Sequence, residues 1–224
     1  MSRLVVLVPT RGRPENIVEL AKAFEDTKAT AKLVIVCDED DPKLEEYKAT
    51  GVSGLVYPRE GKGMAKPLNK AAKELAYHYD FFAFMGDDHR PRTQGWDIAI
   101  QEELSKLGTG LAYGNDLIQG AGLPTAVFMT ADIVRTLGGM VPPNMIHLYL
   151  DNFWLQLGRD LNAITYREDV IIEHLHPIAG KAQWDDNYRE VNAQEVYSAD
   201  ELAFKEYMAS DGYKRLIEEL TDQA

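Results

Sequence analysis

Two carboxylates and an imidazole, Asp87, Asp88 and His89, stand directly after the apolar run Phe81-Phe-Ala-Phe-Met. Hard divalent cations take carboxylate oxygens, and imidazole extends the choice toward Mn²⁺-like ions. The same triplet also suits a solvated turn, where Asp is common. Farther along, His174 and His176 lie two apart. In an extended segment both rings share a face. They could complete a metal site, or one could be packed and the other solvated. Arg11 and Arg13 flank Gly12 after the first apolar run. Guanidinium forks suit a pyrophosphate or a base edge, although two exposed arginines are common. Asp38 closes a second apolar run and could accept from a base or ribose hydroxyl, or cap a helix ahead of Pro42 and Lys43. Asn69 interrupts a helical pattern with a poor helix former, which suits either a polar task or an exposed position. Asp151 stands where an N-cap would, ahead of Phe153, Trp154 and Leu157.

These residues must be carried by elements that bring them together. Leu4 to Val8, Leu33 to Cys37, Gly54 to Tyr57 and Phe81 to Met85 read as strands. Helical spacing follows Pro14 (Ile17, Leu20, Ala21, Phe24) and spans Lys66 to Tyr77. Strands without polar alternation, interleaved with helices, predict an α/β fold with a parallel sheet covered on both faces. In such sheets ligands bind beyond the carboxyl ends of the strands. Thr10, Arg11 and Arg13, then Asp38, then Asp87 to His89 all fall at those ends. The second half is less regular. Helices are expected over Trp96 to Leu107 and Ala131 to Leu137, and strands over Gly110 to Tyr113, Ala126 to Met129 and Val170 to Ile172. Gly180 to Asn192 reads as a mobile loop in which Trp184 is the best candidate sugar platform. The tail from Ala199 reads as helical. Gly61-Lys-Gly-Met-Ala-Lys lacks the spacing of a P-loop.

The chain has 224 residues, 45% hydrophobic and 27% charged, which fits one globular domain. Its net charge is −12, from 36 acidic and 24 basic residues, with no basic tract. A nucleic-acid partner is therefore not expected, and an anionic ligand would need local cations or a metal. The single cysteine, Cys37, excludes an intrachain disulfide. No apolar run approaches membrane-spanning length and no signal-peptide layout is evident, so a cytoplasmic location is expected.

Together the motifs "VLVPTRGRP", "LVIVCDED", "KPLNKAAKE" and "FFAFMGDDH" resemble the GT-A-type glycosyltransferases, especially the inverting group with many bacterial and phage members. The resemblance covers roughly residues 3 to 190. It implies a Rossmann-type, mostly parallel central sheet with helices on both faces, in a single domain over 1–224. A nucleotide-binding half would occupy about 1–95, an acceptor and catalytic half about 96–192, and a helical tail 193–224. It further implies a nucleotide pocket of Pro9, Thr10, Arg11, Arg13, Asp38, Asn69 and Asp87. Metal ligands would come from Asp88, His89, His174 and His176, for Mn²⁺ or Mg²⁺, and Asp151 would be the general base. The sequence departs from the family's Asp-x-Asp motif, since Gly86 aligns with its first position and Asp88 with its last. The familiar Glu-Asp pair is also absent near Asp151. The implied reaction moves a sugar from a nucleoside-diphosphate sugar, UDP first, to a hydroxyl on a protein or glycan. A nucleotidyltransferase shares these features but for a fuller glycine-rich first loop. A non-catalytic nucleotide-sugar-binding protein is the third reading.

Overall fold

An apolar run with no polar alternation must be covered on both sides. The computed structural model describes residues 3–176, 180–181 and 186–222, without the side chains of 186 and 187. In it the first run forms β1 (Leu4–Pro9), with α1 (Pro14–Asp26) following. Leu4, Val6 and Val8 join a core with Ile17, Leu20 and Phe24 of α1. Val5 and Leu7 join the opposite core with Ala65, Leu68 and Ala72 of α3 (Ala65–Leu75). One strand thus seals two cores, which is why its sequence is apolar throughout.

The chain continues through β2 (Lys32–Asp38), α2 (Leu44–Ala49), β3 (Ser53–Tyr57), α3, β4 (Phe81–Phe84) and a short β5 (His89–Pro91). Next come α4 (Trp96–Leu107), β6 (Leu111–Asn115), β7 (Val127–Thr130), α5 (Ala131–Leu137), α6 (Leu150–Asp160) and β8 (Ile164–His174). The helices α7 (Asp186–Val191), α8 (Gln194–Met208) and α9 (Asp211–Thr221) complete it. Among the described residues the strand order is β3-β2-β1-β4-β7-β6-β8-β5. Pairings β1–β2, β1–β4, β2–β3 and β6–β8 are parallel, whereas β4–β7, β6–β7 and β5–β8 are antiparallel. The expected α/β architecture with a mostly parallel sheet is therefore present.

Strand order reverses between β1 and β4, a crevice where ligands bind in open α/β sheets. The ends of β1, β2 and β4 all meet there. The tail is part of the core, because Tyr213, Leu216 and Leu220 of α9 are buried beside Phe153 and Leu157 of α6. Among the described residues no helix is long and apolar enough to cross a membrane.

Three features differ from expectation. β8 begins at Ile164 rather than Val170, because the charged stretch Arg167-Glu-Asp conceals an irregularity. Gly114 of β6 pairs with Arg167, but Asn115 pairs with Ile171, so residues 168–170 have no opposite number. Gly114 permits this, since a β-carbon there would lie 2.4 Å from the Val170 carbonyl oxygen. Secondly, the short elements α2 and β5 have too few residues to show a period. Thirdly, α7 occupies part of the segment expected to be a loop. Trp184 and Asp185 lie outside the described residues.

Candidate active site

The loop after β1 is held by three side chains beneath it. Tyr47 of α2 accepts the Arg13 N–H at 2.7 Å and shares a hydrogen bond with Thr10 Oγ1 at 2.9 Å. Buried Asp41 accepts the Gly12 N–H at 2.9 Å. Asp87 accepts from Thr10 Oγ1 at 2.6 Å, and from Arg13 and Asn16 at 3.3 Å each. Gly12 has φ +72, a left-handed conformation that glycine adopts without strain. With the backbone fixed, Arg11 reaches Asp38 Oδ2 at 3.1 Å and Asp40 Oδ1 at 2.8 Å. Arg59, just beyond β3, approaches Asp38 from the other side at 3.7 Å. Burial pushes the Asp38 carboxyl up, and the two arginines oppose that shift.

The turn after β4 divides its neighbouring carboxylates. Asp87 faces inward to the loop just described, and burial, then the charge of Asp88, push its carboxyl up. Asp88 faces the histidines. Its Oδ1 is 3.4 Å from His89 Nδ1, and its Oδ2 is 3.3 Å from His174 Nε2. Burial alone would raise the Asp88 carboxyl, but the two imidazoles outweigh it and hold the group well below the usual range. The histidines meet because β5 and β8 pair His89 directly with His174. Their rings stack with centroids 4.2 Å apart. Buried Arg90 holds the turn from below by donating to the carbonyls of Asp87 and His89, both at 2.7 Å.

Asp88, His89 and His174 offer three donor atoms within 4.8 Å of one another, a grouping able to hold a cation. His89 accepts the Gly86 N–H at Nδ1, 3.0 Å away, while its Nε2 is buried without a hydrogen-bond partner. His176 lies beside the cluster, its ring centroid 5.0 Å from that of His174. From above, Tyr188 of α7 donates to Asp88 Oδ2 at 2.5 Å, and its ring lies 3.9 Å beneath the Arg13 guanidinium.

Thr10, Arg11, Arg13, Asp38, Arg59, the Asp87–His89 turn, both downstream histidines and Tyr188 border one cleft of about 1170 Å³, including its solvent-open part, while Tyr47, Asp41 and Arg90 support it from behind. The facing wall consists of Thr125, His147, Leu148, Tyr149, Leu150, Asp151 and Trp154. Burial pushes the His147 imidazole down to about 4, so it is neutral at pH 7. Burial also raises the half-buried Asp151 carboxyl, offset partly by the Asn152 N–H it accepts at 2.9 Å. The expected N-cap role of Asp151 does not hold. Tyr149 is the N-cap residue, at φ 61, and Asp151 is the second residue of α6.

The cleft brings together Pro9, Thr10, Arg11, Arg13, Asp38, Asp87, Asp88, His89, His174, His176 and Asp151. Asn69 stands apart. Its carboxamide accepts from Met140 N at 2.8 Å and donates to the Val141 carbonyl at 2.9 Å, tying α3 to the turn after α5. The mismatch between Asn and a helix interior marked a polar task, and that task is structural. Arg59, Arg90, His147 and Tyr188 were missed as site residues. Arg90 directly follows the Asp87–His89 triplet and Tyr188 lies in the segment read as a loop, but Arg59 and His147 belong to no local motif, and for His147 the isolated imidazole among apolar neighbours was the one signal available. Asp116 accepts the N–H groups of Ile118, Gln119 and Gly120 and does not line the cleft.

This sheet, with its crevice at the reversal of strand order and its acidic strand end, has a GT-A-type fold. Glucosyl-3-phosphoglycerate synthase from Mycobacterium tuberculosis, solved with Mn²⁺, uridine diphosphate and glucosyl-3-phosphoglycerate, is similar at a TM-score of 0.61. The two share 13% identity over 91% of this chain and 80% of the other. CMP:2-keto-3-deoxy-manno-octonic acid synthetase, solved with CTP, is similar at a TM-score of 0.56 and 13% identity, over 87% of this chain and 100% of that one. The sequence matches no family model and no curated protein.

Proposed function

We propose that this protein transfers a sugar from a nucleoside-diphosphate sugar, a UDP-sugar first, to an acceptor hydroxyl, with inversion and with a divalent ion. The observation that supports this most is the sharing of one cleft by Asp38, with its two arginines, and the Asp88–His89–His174 cluster. A nucleotide lying across the strand ends would meet the first group with its base and ribose and the second with its diphosphate.

Asp88, His89 and His174 would hold the ion, with His176 adjacent. The chemistry of the donor set fits one: a carboxylate oxygen and two imidazole nitrogens lie within 4.8 Å of one another, a combination that Mn²⁺-like ions accept. Mixed nitrogen and oxygen donors favour Mn²⁺ over Mg²⁺. When bound, the ion supplies Lewis-acid stabilisation of the departing diphosphate. Arg11, Asp38 and Arg59 bind the nucleotide against Pro9 and Thr10, and Arg13 offsets phosphate charge. Asp87 acts from beneath by ordering Thr10 and Arg13. On the facing wall, Asp151 takes the proton of the acceptor hydroxyl as its oxygen attacks the anomeric carbon. The bond from that carbon to the diphosphate oxygen breaks, and its electron pair leaves with the diphosphate. A single displacement of this kind inverts the configuration.

A panel of nucleotide-sugars with Mn²⁺ tests the reading. Binding of the right donor at a hundredfold excess over Kd should add about 2.7 kcal/mol of stability. Turnover should release nucleoside diphosphate and stop in EDTA. Release of pyrophosphate from a nucleoside triphosphate and a sugar phosphate would instead establish a nucleotidyltransferase. The first loop argues against that chemistry, because Gly12 is its sole glycine. Tight binding with no turnover under any acceptor would leave a binding protein. The acceptor is expected to be a protein or glycan, since a net charge of −12 disfavours nucleic acid.

A further inference from the structure

The peptide from Ile146 to Leu148 is gripped on two sides by residues remote in sequence. Asp200 of α8 has no exposed surface. Its Oδ1 accepts the Ile146 N–H at 2.6 Å, and its Oδ2 accepts those of His147 at 2.8 Å and Leu148 at 2.7 Å. Successive amides converging in this way form an anion-binding concavity, here filled by the chain's own carboxylate. On the other side the Ile146 carbonyl accepts from Ala65 N, the start of α3, at 3.0 Å. Gly63 passes so close that a β-carbon there would lie 2.3 Å from the same carbonyl oxygen.

The gripped strip is the facing wall of the cleft. His147 and Leu148 line it, and the chain then turns through Tyr149 at φ 61 to deliver Asp151 in the first turn of α6. His147 Nδ1 is buried with no hydrogen-bond partner, so the strip and not a bond of its own fixes that edge of the ring. A buried carboxylate could be merely an anchor between helices. Asp97 is one: it ties α4 to Thr30 and Ala31 and does not border the cleft. Asp200 differs in that all three of its bonds end on backbone beside cleft residues.

We propose that Asp200 is a positioning residue of the active site, which holds His147 and Asp151 against the reacting centre from a helix near the C-terminus. The proposal rests on the transfer reading for what these residues are positioned against. It separates two quantities. Metal and nucleotide groups stand at the ends of β1 and β2, after β3 and β4, and on β5 and β8, and Asp200 bonds to none of them, so their affinities do not depend on Asp200. Turnover does.

The test uses the full chain with Asp200→Asn and Asp200→Ser, since the bonds of Asp200 end on residues 146–148. Each should speed amide hydrogen exchange at residues 146–148 by tenfold or more and lower transfer kcat by 10- to 100-fold. Donor KM and the affinity for UDP with Mn²⁺ should stay within twofold of wild type. An unchanged kcat, or a fall in UDP affinity that parallels the fall in kcat, would overturn the assignment. If Asp200→Asn does not fold, Asp200→Ser must give the split. Should the wild-type protein transfer no sugar, the transfer reading fails by itself. Asp200 is then judged by exchange at 146–148 and by the NMR shift of the His147 ring, and no change in either for both variants overturns the proposal.

Discussion

The two walls of the cleft are built by opposite means. The nucleotide wall is local to one half of the chain: Tyr47, Asp41 and Asp87 hold the loop after β1, and although Thr10 and Asp87 are 77 residues apart, all lie in the first 90. The facing wall is assembled from afar, with Ile146 to Leu148 hung between Ala65 and Asp200. The local wall presents charge for affinity. The remote wall presents a carboxylate and an imidazole, both shifted by burial toward their neutral forms. The contrast suggests that binding and turnover can be damaged separately.

The largest effect should come where the walls meet. Asp88→Asn keeps the shape of the side chain but removes the charge between two imidazoles, so Mn²⁺ binding and turnover should both be lost. Titration of Mn²⁺ by electron paramagnetic resonance reads the first directly. Asp151→Asn should leave UDP affinity intact and cut kcat by about 10²- to 10⁴-fold. Its pH profile sharpens the point. Burial raises the Asp151 carboxyl, so activity should fall tenfold per unit as pH drops below a value higher than that of an ordinary aspartate. That limb should vanish in the variant. On the other wall, Arg11→Ala should weaken UDP by roughly 1.5–3 kcal/mol through loss of a charge-assisted bond, with kcat at saturation nearly unchanged. Calorimetry gives the Kd, and an unaltered value would place the nucleotide elsewhere.

The smallest effect has the opposite sign. Tyr188 donates to the Asp88 oxygen that also faces His174. An ion using that oxygen must displace the hydroxyl. Tyr188→Phe removes a hydrogen bond worth about 0.5–1.5 kcal/mol and should tighten Mn²⁺ binding by a few fold. Weaker binding would make Tyr188 a partner of the ion.

The same asymmetry governs what could be read in advance. The local wall was legible because each strand is a continuous apolar run and its polar groups follow directly, as with Asp38 and Asp88. What sequence could not assign was direction. Asp87 and Asp88 are adjacent, yet one turns to the loop and the other to the histidines. Asn69 was correctly singled out as polar but serves the turn at Met140. The remote wall was legible only in pieces. Asp151 was noted, but Asp200, which holds Ile146 to Leu148 just ahead of it, lies far along the chain, and nothing in either local pattern points to the other. Arg59 was missed for the same reason, since its partner Asp38 is on the next strand.

The pairing of His89 with His174 depends on counting. Three residues of β8, 168 to 170, have no opposite number in β6. Successive residues of a strand alternate between its faces, so an odd excess reverses the parity of everything after it. His174 reaches the cleft on the strength of that odd number and of a glycine at position 114 that makes room for it. Natural variation and engineering in this bulge are thus constrained by arithmetic rather than chemistry. Exchanging a charge at 168 or 169 leaves that count intact, whereas adding or removing one residue would invert the frame and turn an imidazole away from its carboxylate.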